Sequence, residues 1–309
     1  MMEFCEFGEV EKQMLKEVAG LYAVPEGAYN FRINGKSVSR KSSSNIDVDI
    51  VDGGLVITVK PGTKHESVHI PVVLSRTGLK ETVRNTFNIG DDADVLIIAG
   101  CGIYNCGASD SEHNGIHVLN VGKNAKVKYV EKHYGVGNGR GARTLNPTTE
   151  AHLSENSYVE MDLEQIKGVD STVRKTISDV GKNTKLVIRE RLMTHGRQTA
   201  RSEIKTTLSG DDSTVDIISR AVAQDLSVQK FNSCIIGEGK CRGHSECDAI
   251  IMDKAQVLAE PALDAHSVDA ELIHEAAIGK IAGEQILKLQ TLGLNKAEAE
   301  SLIINGFLK

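Results

Sequence analysis

One motif recurs through the chain and limits its fold more than any other feature: a polar turn that feeds a short alternating strand. GDDADVLII starts at Gly90, GKNAKVKYV at Gly122, SENSYVEMD at Ser154, GKNTKLVIR at Gly181 and GDDSTVDII at Gly210. Successive starts are 32, 32, 27 and 29 residues apart. A small residue opens each unit, Asp or Asn tolerates the left-handed backbone region, and the following residues enter the sheet. Self-similar units of this size that cannot bury a face alone must stack on one another, so they predict a solenoid, with a parallel β-helix as the first choice. A β-sandwich also yields evenly spaced short strands. The recurring unit and the roughly 250 residues of strand, more than a usual sandwich domain holds, favour the solenoid. Aromatic residues are 4% with no Trp, against 40% hydrophobic overall, which suits a thin aliphatic interior.

The two ends read differently. Residues 8–22 carry Val10, Met14, Leu15 and Val18 at helical spacing, closed by Pro25-Glu26-Gly27. After Ala276, Ile281, Gln285, Leu289, Ala297, Leu302 and Ile303 fit helical spacing, broken at Gly293-Leu294-Asn295, with Asn295 and Glu298 placed as a capping box. The expected organisation is a helical segment over 1–29, a β-helix over 30–278 and a helical hairpin over 279–309.

The chain carries 36 Lys and Arg against 42 Asp and Glu, a net charge of −6. A nucleic-acid binder normally has a basic excess, so none is expected as partner. No apolar run is long enough to span a membrane, and the acidic start MMEFCEFGEVEKQM lacks a signal-peptide core. A cytoplasmic protein with six reduced cysteines is expected.

Four places could carry chemistry. CIIGEGKCRGHSEC holds Cys234, Cys241, His244 and Cys247. Its spacing is neither a zinc ribbon nor a ferredoxin; thiolates suit soft metals, while single cysteines in strands also serve as small buried hydrophobes. His274-Glu275 pairs an imidazole with a carboxylate, but neighbours along a strand face opposite ways, so they do not form one pair. Cys101 and Cys106 bracket CGIYNC, where an accessible loop thiol could accept sulfur and a strand-end thiol would simply be buried. Gly135–Gly141 fails the GxGxxG pattern at Arg140, no GxxxxGK[ST] or GxSxG occurs, and no nucleotide site is expected on this chain.

Three stretches together resemble the SufB/SufD proteins of the SUF iron–sulfur assembly machinery. They are GCGIYNC (Gly100–Cys106), ECDAIIMD (Glu246–Asp253) and LIHEAAIGKIAGEQILKLQTLGLNKAEAESLIINGF (Leu272–Phe307). The resemblance implies a right-handed parallel β-helix flanked by helical segments. It implies C-terminal helices that dock SufC, an ABC-type ATPase, and pairing as a homodimer or with a SufB/SufD paralogue. The function it implies is a non-enzymatic scaffold that takes sulfur and iron from donors, builds a transient iron–sulfur cluster at the dimer interface and passes it to apo acceptors. The alternative is a SufD-like subunit that docks SufC without holding a cluster.

By the same resemblance, Cys247 in CDAI matches the sulfur-accepting, cluster-holding cysteine and Glu275 in HEA its partner carboxylate. His274 is nearest to the SufD-type histidine, and Cys101 matches the sulfur-entry cysteine. Cys247 with Glu275 favours the SufB type, in a compact form shorter at its N-terminus than most SufB chains. An additional cysteine that SufB carries between the positions of Cys247 and Glu275 is missing from DKAQVLAEPALD, and Cys234 and Cys241 are the expected substitutes.

Overall fold

The computed structural model describes residues 4–309. The first three residues of the expected 1–29 segment lie outside them. The chain winds into a β-solenoid of about eight turns. Two sheets run along it, and consecutive strands of each are parallel and one turn apart in sequence. In the first sheet the rungs are Asp94–Tyr104, Lys126–Val136, Tyr158–Lys167, Lys185–Thr194, Ser213–Ala223, Cys241–Ile251 and Ala270–Gly279. The facing sheet contains Lys80–Ile89, Ser111–Val121, Thr148–Leu153, Ser171–Val180, Thr199–Leu208, Val228–Gly237 and Gln256–Ala265.

The recurring turn does what its residues allow. Asp92, Asn124, Asn156, Asn183 and Asp212 take φ of 60°, 55°, 60°, 52° and 58°. All five are Asp or Asn, whose short polar side chains tolerate this region best after glycine. They also stack: Asn124 Nδ2 donates to Asp92 Oδ1 at 3.1 Å, and Asn183 Nδ2 to Asn156 Oδ1 at 2.8 Å. The sequence offsets therefore equal the register offsets. Val95, Val127, Val159, Leu186 and Val215 are partners rung by rung and all are buried.

The N-terminal end is closed by antiparallel hairpins, a feature the repeat does not foretell. Ala28–Ile33 pairs with Lys36–Lys41, and Ile46–Val51 with Gly54–Val59. The first turns at Asn34-Gly35, both at positive φ, the two-residue loop that matches strand twist. Helix α1 (Glu9–Ala19) stops short of the expected residue 22 because Gly20 adopts φ 65° and returns its N–H to the carbonyls of Leu15 and Lys16. Met14 and Val18 of α1 lie against Gly100 and Gly102, where a Cβ would come within 2.1 Å of the Val18 carbonyl oxygen and 2.4 Å of Met14 Cε. The glycines flanking Cys101 thus let the helix roof that strand.

The C-terminal end is open. Gln256–Ala265 and Ala270–Gly279 are the last strands of their sheets, largely exposed, with Pro261 tolerated because its edge needs no donor. Helices α2 (Gly283–Thr291) and α3 (Lys296–Phe307) follow, the latter with the expected Asn295–Glu298 capping box. Ile304 and Leu308 cover Val222 on the outer wall, while Leu287, Leu292 and Leu302 stay exposed. Among the described residues no helix is long and apolar enough to cross a membrane.

Candidate functional site

Side chains alternate in and out along each rung, so every inward position belongs to a file running down the solenoid. One file reads Ala99, Glu131, Leu163, Glu190, Ser219, Cys247 and Ala276, each the register partner of the next. The turn-side files are aliphatic. This one carries two carboxylates and a thiol into the interior, and the facing sheet adds His113, His117 and Arg174.

These buried groups form one connected network. His117 Nδ1 and Tyr129 Oη are 2.6 Å apart, and Tyr129 in turn donates to Glu131. Glu131 accepts from Arg174 at 2.7 Å and lies 3.0 Å from His133 Nε2. Arg174 reaches across to Glu190 at 3.5 Å. Glu190 accepts from Ser202 at 2.7 Å and Ser219 at 3.1 Å. Burial alone would raise the Glu131 carboxyl; Arg174, His133 and His117 overcome it and hold the group well below the usual carboxylate range. Burial pushes the His117 imidazole down to about 4, against the attraction of Glu131. A second link starts nearer the N-terminus, where Glu81 joins Arg32 at 2.9 Å to His113 Nδ1 at 3.0 Å. His113 Nε2 is buried without a partner.

Cys101 and Cys247 stand at opposite ends of this network. Cys101 lines a narrow internal pocket with His113, His117, Glu131 and His133. Burial pushes its thiol well above the ordinary value, and Glu131 and Glu81 add to that. Cys247 is register partner of Ser219, which bonds Glu190. Its thiol is pushed up to about 12 by burial and by the charges of Glu190 and Asp248. Five rung steps of about 4.8 Å put roughly 24 Å of polar interior between the two sulfurs' strands.

The remaining expected residues divide between the two faces. His274 points inward as register partner of Ser245, two positions along from Cys247, and its Nδ1 is buried without a partner. Glu275 points outward, stacked on Glu246. The structure therefore sets Cys247 and His274 inside and Glu275 on the opposite face of the same wall. Cys241 faces inward too, but six residues before Cys247, about 20 Å along the strand. Cys234 faces outward on the other sheet. The structure does not bring Cys234 and Cys241 to Cys247, because strand alternation and rung position separate them. Among the described residues no three His, Cys, Asp or Glu side chains converge as a ready metal site.

On the outer wall, His244 Nδ1 is 2.8 Å from Asp216 Oδ1, and its Nε2 is 4.0 Å from Glu275 Oε2. Glu246 beside them has its carboxyl raised by burial and by a hydrogen bond shared with Asp248.

Glu131, His133, Arg174 and Glu190 escape motif searching because no local spacing joins them. The signal that finds Glu131 and Glu190 is the repeat itself. Carrying the turn offset from rung to rung places Glu131, Glu190 and Cys247 beneath Ala99 in a file that should be apolar.

Residues 74–307 match the family described as the SUF system FeS cluster assembly, SufBD core domain. A protein of Methanothermobacter thermautotrophicus called an iron–sulfur cluster assembly SufBD family protein is 26% identical over 264 residues, covering 83% of this chain and 62% of that protein. The namesake of Archaeoglobus fulgidus is 27% identical over 267 residues, 85% of this chain and 70% of its own length. One from Pyrococcus horikoshii reaches 40% identity over 93 residues, 29% of this chain and 21% of that protein. The chain thus spans less than two thirds of the Methanothermobacter relative it matches.

Proposed function

The chain belongs to the SufBD family of iron–sulfur cluster assembly proteins, and on that premise we propose that it is a scaffold on which sulfur and iron meet to form a transient cluster. The observation that carries this reading is the buried charged network joining the surroundings of Cys101 to those of Cys247. A solenoid built only for stability would fill that file with aliphatic side chains, since one stranded buried carboxylate costs several kcal/mol. In this reading Cys101 receives sulfur, the polar interior links it to the far rungs, and Cys247 with His274 presents soft and borderline donors at the open end. The unpartnered Nδ1 of His274 fits a ligand role.

The open end also suits the pairing. Both last strands have an unpaired edge, so a second copy or a SufB/SufD paralogue extends the sheets and closes the site. The exposed Leu287, Leu292 and Leu302 of the C-terminal hairpin offer an apolar face to a SufC-type ATPase. No catalytic turnover is assigned to this chain; the nucleotide chemistry belongs to that partner.

Anaerobic reconstitution with iron, sulfide and SufC tests the reading. Wild type should develop iron–sulfur absorbance and Mössbauer spectra that identify the cluster, and Cys247→Ala should lose both; an unchanged spectrum in the variant refutes it. A second reading has one specific observation in its favour. Cys247 is 1% exposed with its thiol protonated, as in a SufD-like subunit that docks SufC and completes a partner's site. In that case the chain with SufC alone assembles no cluster and gains one only with a paralogue.

A further inference from the structure

We propose that His113 is the base that activates Cys101, with Glu81 as its positioning residue. The step it serves, sulfur acceptance at Cys101, rests on the cluster-assembly reading; the base itself does not. Glu81 and His113 are register partners on neighbouring rungs, with side chains 8% and 2% exposed. Glu81 Oε1 is 3.0 Å from His113 Nδ1. A carboxylate only accepts, so Nδ1 carries the proton and Nε2 keeps its lone pair. Glu81 is held in turn by Arg32 at 2.9 Å. Burial alone would raise its carboxyl; His113 and Arg32 overcome that and keep it below the ordinary range. A carboxylate that orients a histidine, whose other nitrogen faces a thiol, is the arrangement of an activated nucleophile.

Nε2 of His113 is buried without a partner. It faces the narrow space that Cys101 lines with His117, Glu131 and His133. Gly115 keeps that space open: a Cβ there would stand 3.3 Å from His113 Nε2 and 3.7 Å from His117 Nε2. The other polar side chains around it are already engaged. His117 meets Tyr129 through Nδ1 and Asn85 through Nε2. His133 lies between Arg174 and Glu131, and Asn146 bonds Asn114 and the Val173 N–H. Among the described residues lining the space, the Cys101 thiol is the proton donor left for Nε2. The two are not bonded at rest, and the gap between them is where incoming sulfur would lie. Catalytic hydrogen bonds often tighten only once the reactant is in place.

This thiol needs a base. Burial, Glu131 and Glu81 push it well above the ordinary value, against the pull of Arg174, so it is protonated at neutral pH. A neutral imidazole removes the proton during attack, and no free thiolate has to form beforehand. In the step, His113 Nε2 takes the Cys101 proton and the sulfur attacks the outer sulfur of a persulfide donor. The donor's S–S bond breaks, and its electron pair leaves with the inner sulfur, which recovers the proton from His113. The outer sulfur and its hydrogen stay on Cys101 as a new persulfide, with no net oxidation.

Hydrogen peroxide tests the base on the full chain, without iron, sulfide or SufC. It is small and uncharged, and it reports on thiolate formation. The sulfur attacks one oxygen, the O–O bond breaks, and the leaving hydroxide takes the proton from His113 to become water. After catalase removes the peroxide, unfolding in dimedone and peptide mass spectrometry give the sulfenic acid at each cysteine. At pH 7 the Cys101 rate should fall about 100-fold in His113→Gln and about tenfold in Glu81→Gln. The exposed Cys106 should react equally in all three proteins. Raising the pH should narrow the gap, because hydroxide then replaces the missing base; a packing defect changes the Cys101 rate by one factor at every pH. Circular dichroism should show both variants folded. If His113→Gln does not fold, Gly115→Ala fills the space before Nε2 and should slow Cys101 about tenfold. Equal Cys101 rates in wild type and the variant used overturn the proposal. So does a pH-independent difference for His113→Gln, or a folded wild type whose Cys101 never reacts. Base-dependent oxidation of Cys101 beside failed cluster reconstitution removes the scaffold reading and leaves His113 in its role. Cluster loading beside equal Cys101 rates does the reverse.

Discussion

Replacing Arg174 by Met tests whether the interior network is held by charge balance. Arg174 is 4% exposed and stands between Glu131 and Glu190, at 1% and 4%. Methionine fills much of the same space without the cation. The variant then has two buried carboxylates with no guanidinium between them, and the least costly response is for one of them to take up a proton. A glutamate with an ordinary pKa of 4.5 must be protonated against pH 7, a gap of 2.5 units, or about 3.4 kcal/mol at about 1.36 kcal/mol per unit. This agrees with the 3–5 kcal/mol typical of breaking a buried pair. The sign follows from linkage. In the variant the folded-state pKa lies above the unfolded one, so the penalty is absent below pH 4.5 and grows as pH rises. At pH 5 it should fall to about 0.7 kcal/mol. Urea denaturation at both pH values, followed by far-ultraviolet circular dichroism, measures the difference. Glu131→Gln combined with Arg174→Met should recover part of the loss, because it removes a charge that the single variant strands. A penalty below 1 kcal/mol at pH 7, or one that is the same at both pH values, refutes the argument.

Two further outcomes follow from the buried titrating groups. His117, held neutral with a pKa of about 4 against 6.5 unfolded, takes stability away as pH falls from 6.5 through 4, up to about 3.4 kcal/mol; His117→Asn should flatten that part of the stability–pH curve, as denaturation at several pH values will show. With iodoacetamide at neutral pH, peptide mass spectrometry should find the exposed Cys5 and Cys106 alkylated first, and Cys101, Cys241 and Cys247 protected until the solenoid is unfolded.

The architecture was legible because its determinants are local. A left-handed turn residue needs Asn, Asp or Gly wherever it occurs, so Asp92, Asn124, Asn156, Asn183 and Asp212 announce the turns and their spacing announces the stacking. Asn295 and Glu298 announce a helix start for the same reason. The candidate site was legible only as a set of residue types. Whether Cys247 and Glu275 share a face depends on one step of strand parity, and that step puts them on opposite sides of the wall. Cys234 and Cys241 looked close to Cys247 in sequence, but a solenoid brings together residues one turn apart, not residues within one turn. His244 and Glu275 are 31 residues apart and adjacent in space; Cys241 and Cys247 are six apart and distant. Arg174 was missed because it faces Glu131 and Glu190 from the other sheet, and no linear spacing encodes that approach.

The wall itself sets the last constraint on mechanism. Cys247 is inside with its thiol pushed up to about 12, Glu275 is outside, and the strand that carries Glu275 is the only one stacked beyond Cys247 in its sheet. For a thiolate and that carboxylate to hold one iron, Ala270–Gly279 has to move or turn at its edge. This strand is the least costly place for it. It pairs on one side only, its side chains are largely exposed, and inward positions such as Ala276 have nothing stacked beyond them. Displacing it exposes Cys247 to water, which removes the burial that holds the thiol at about 12 and favours the reactive thiolate. The strand also runs straight into the C-terminal helices: Gly279 is followed within four residues by α2. The exposed leucines of that hairpin and the strand that covers the thiol therefore lie on one continuous piece of chain, and a force applied to the first would reach the second.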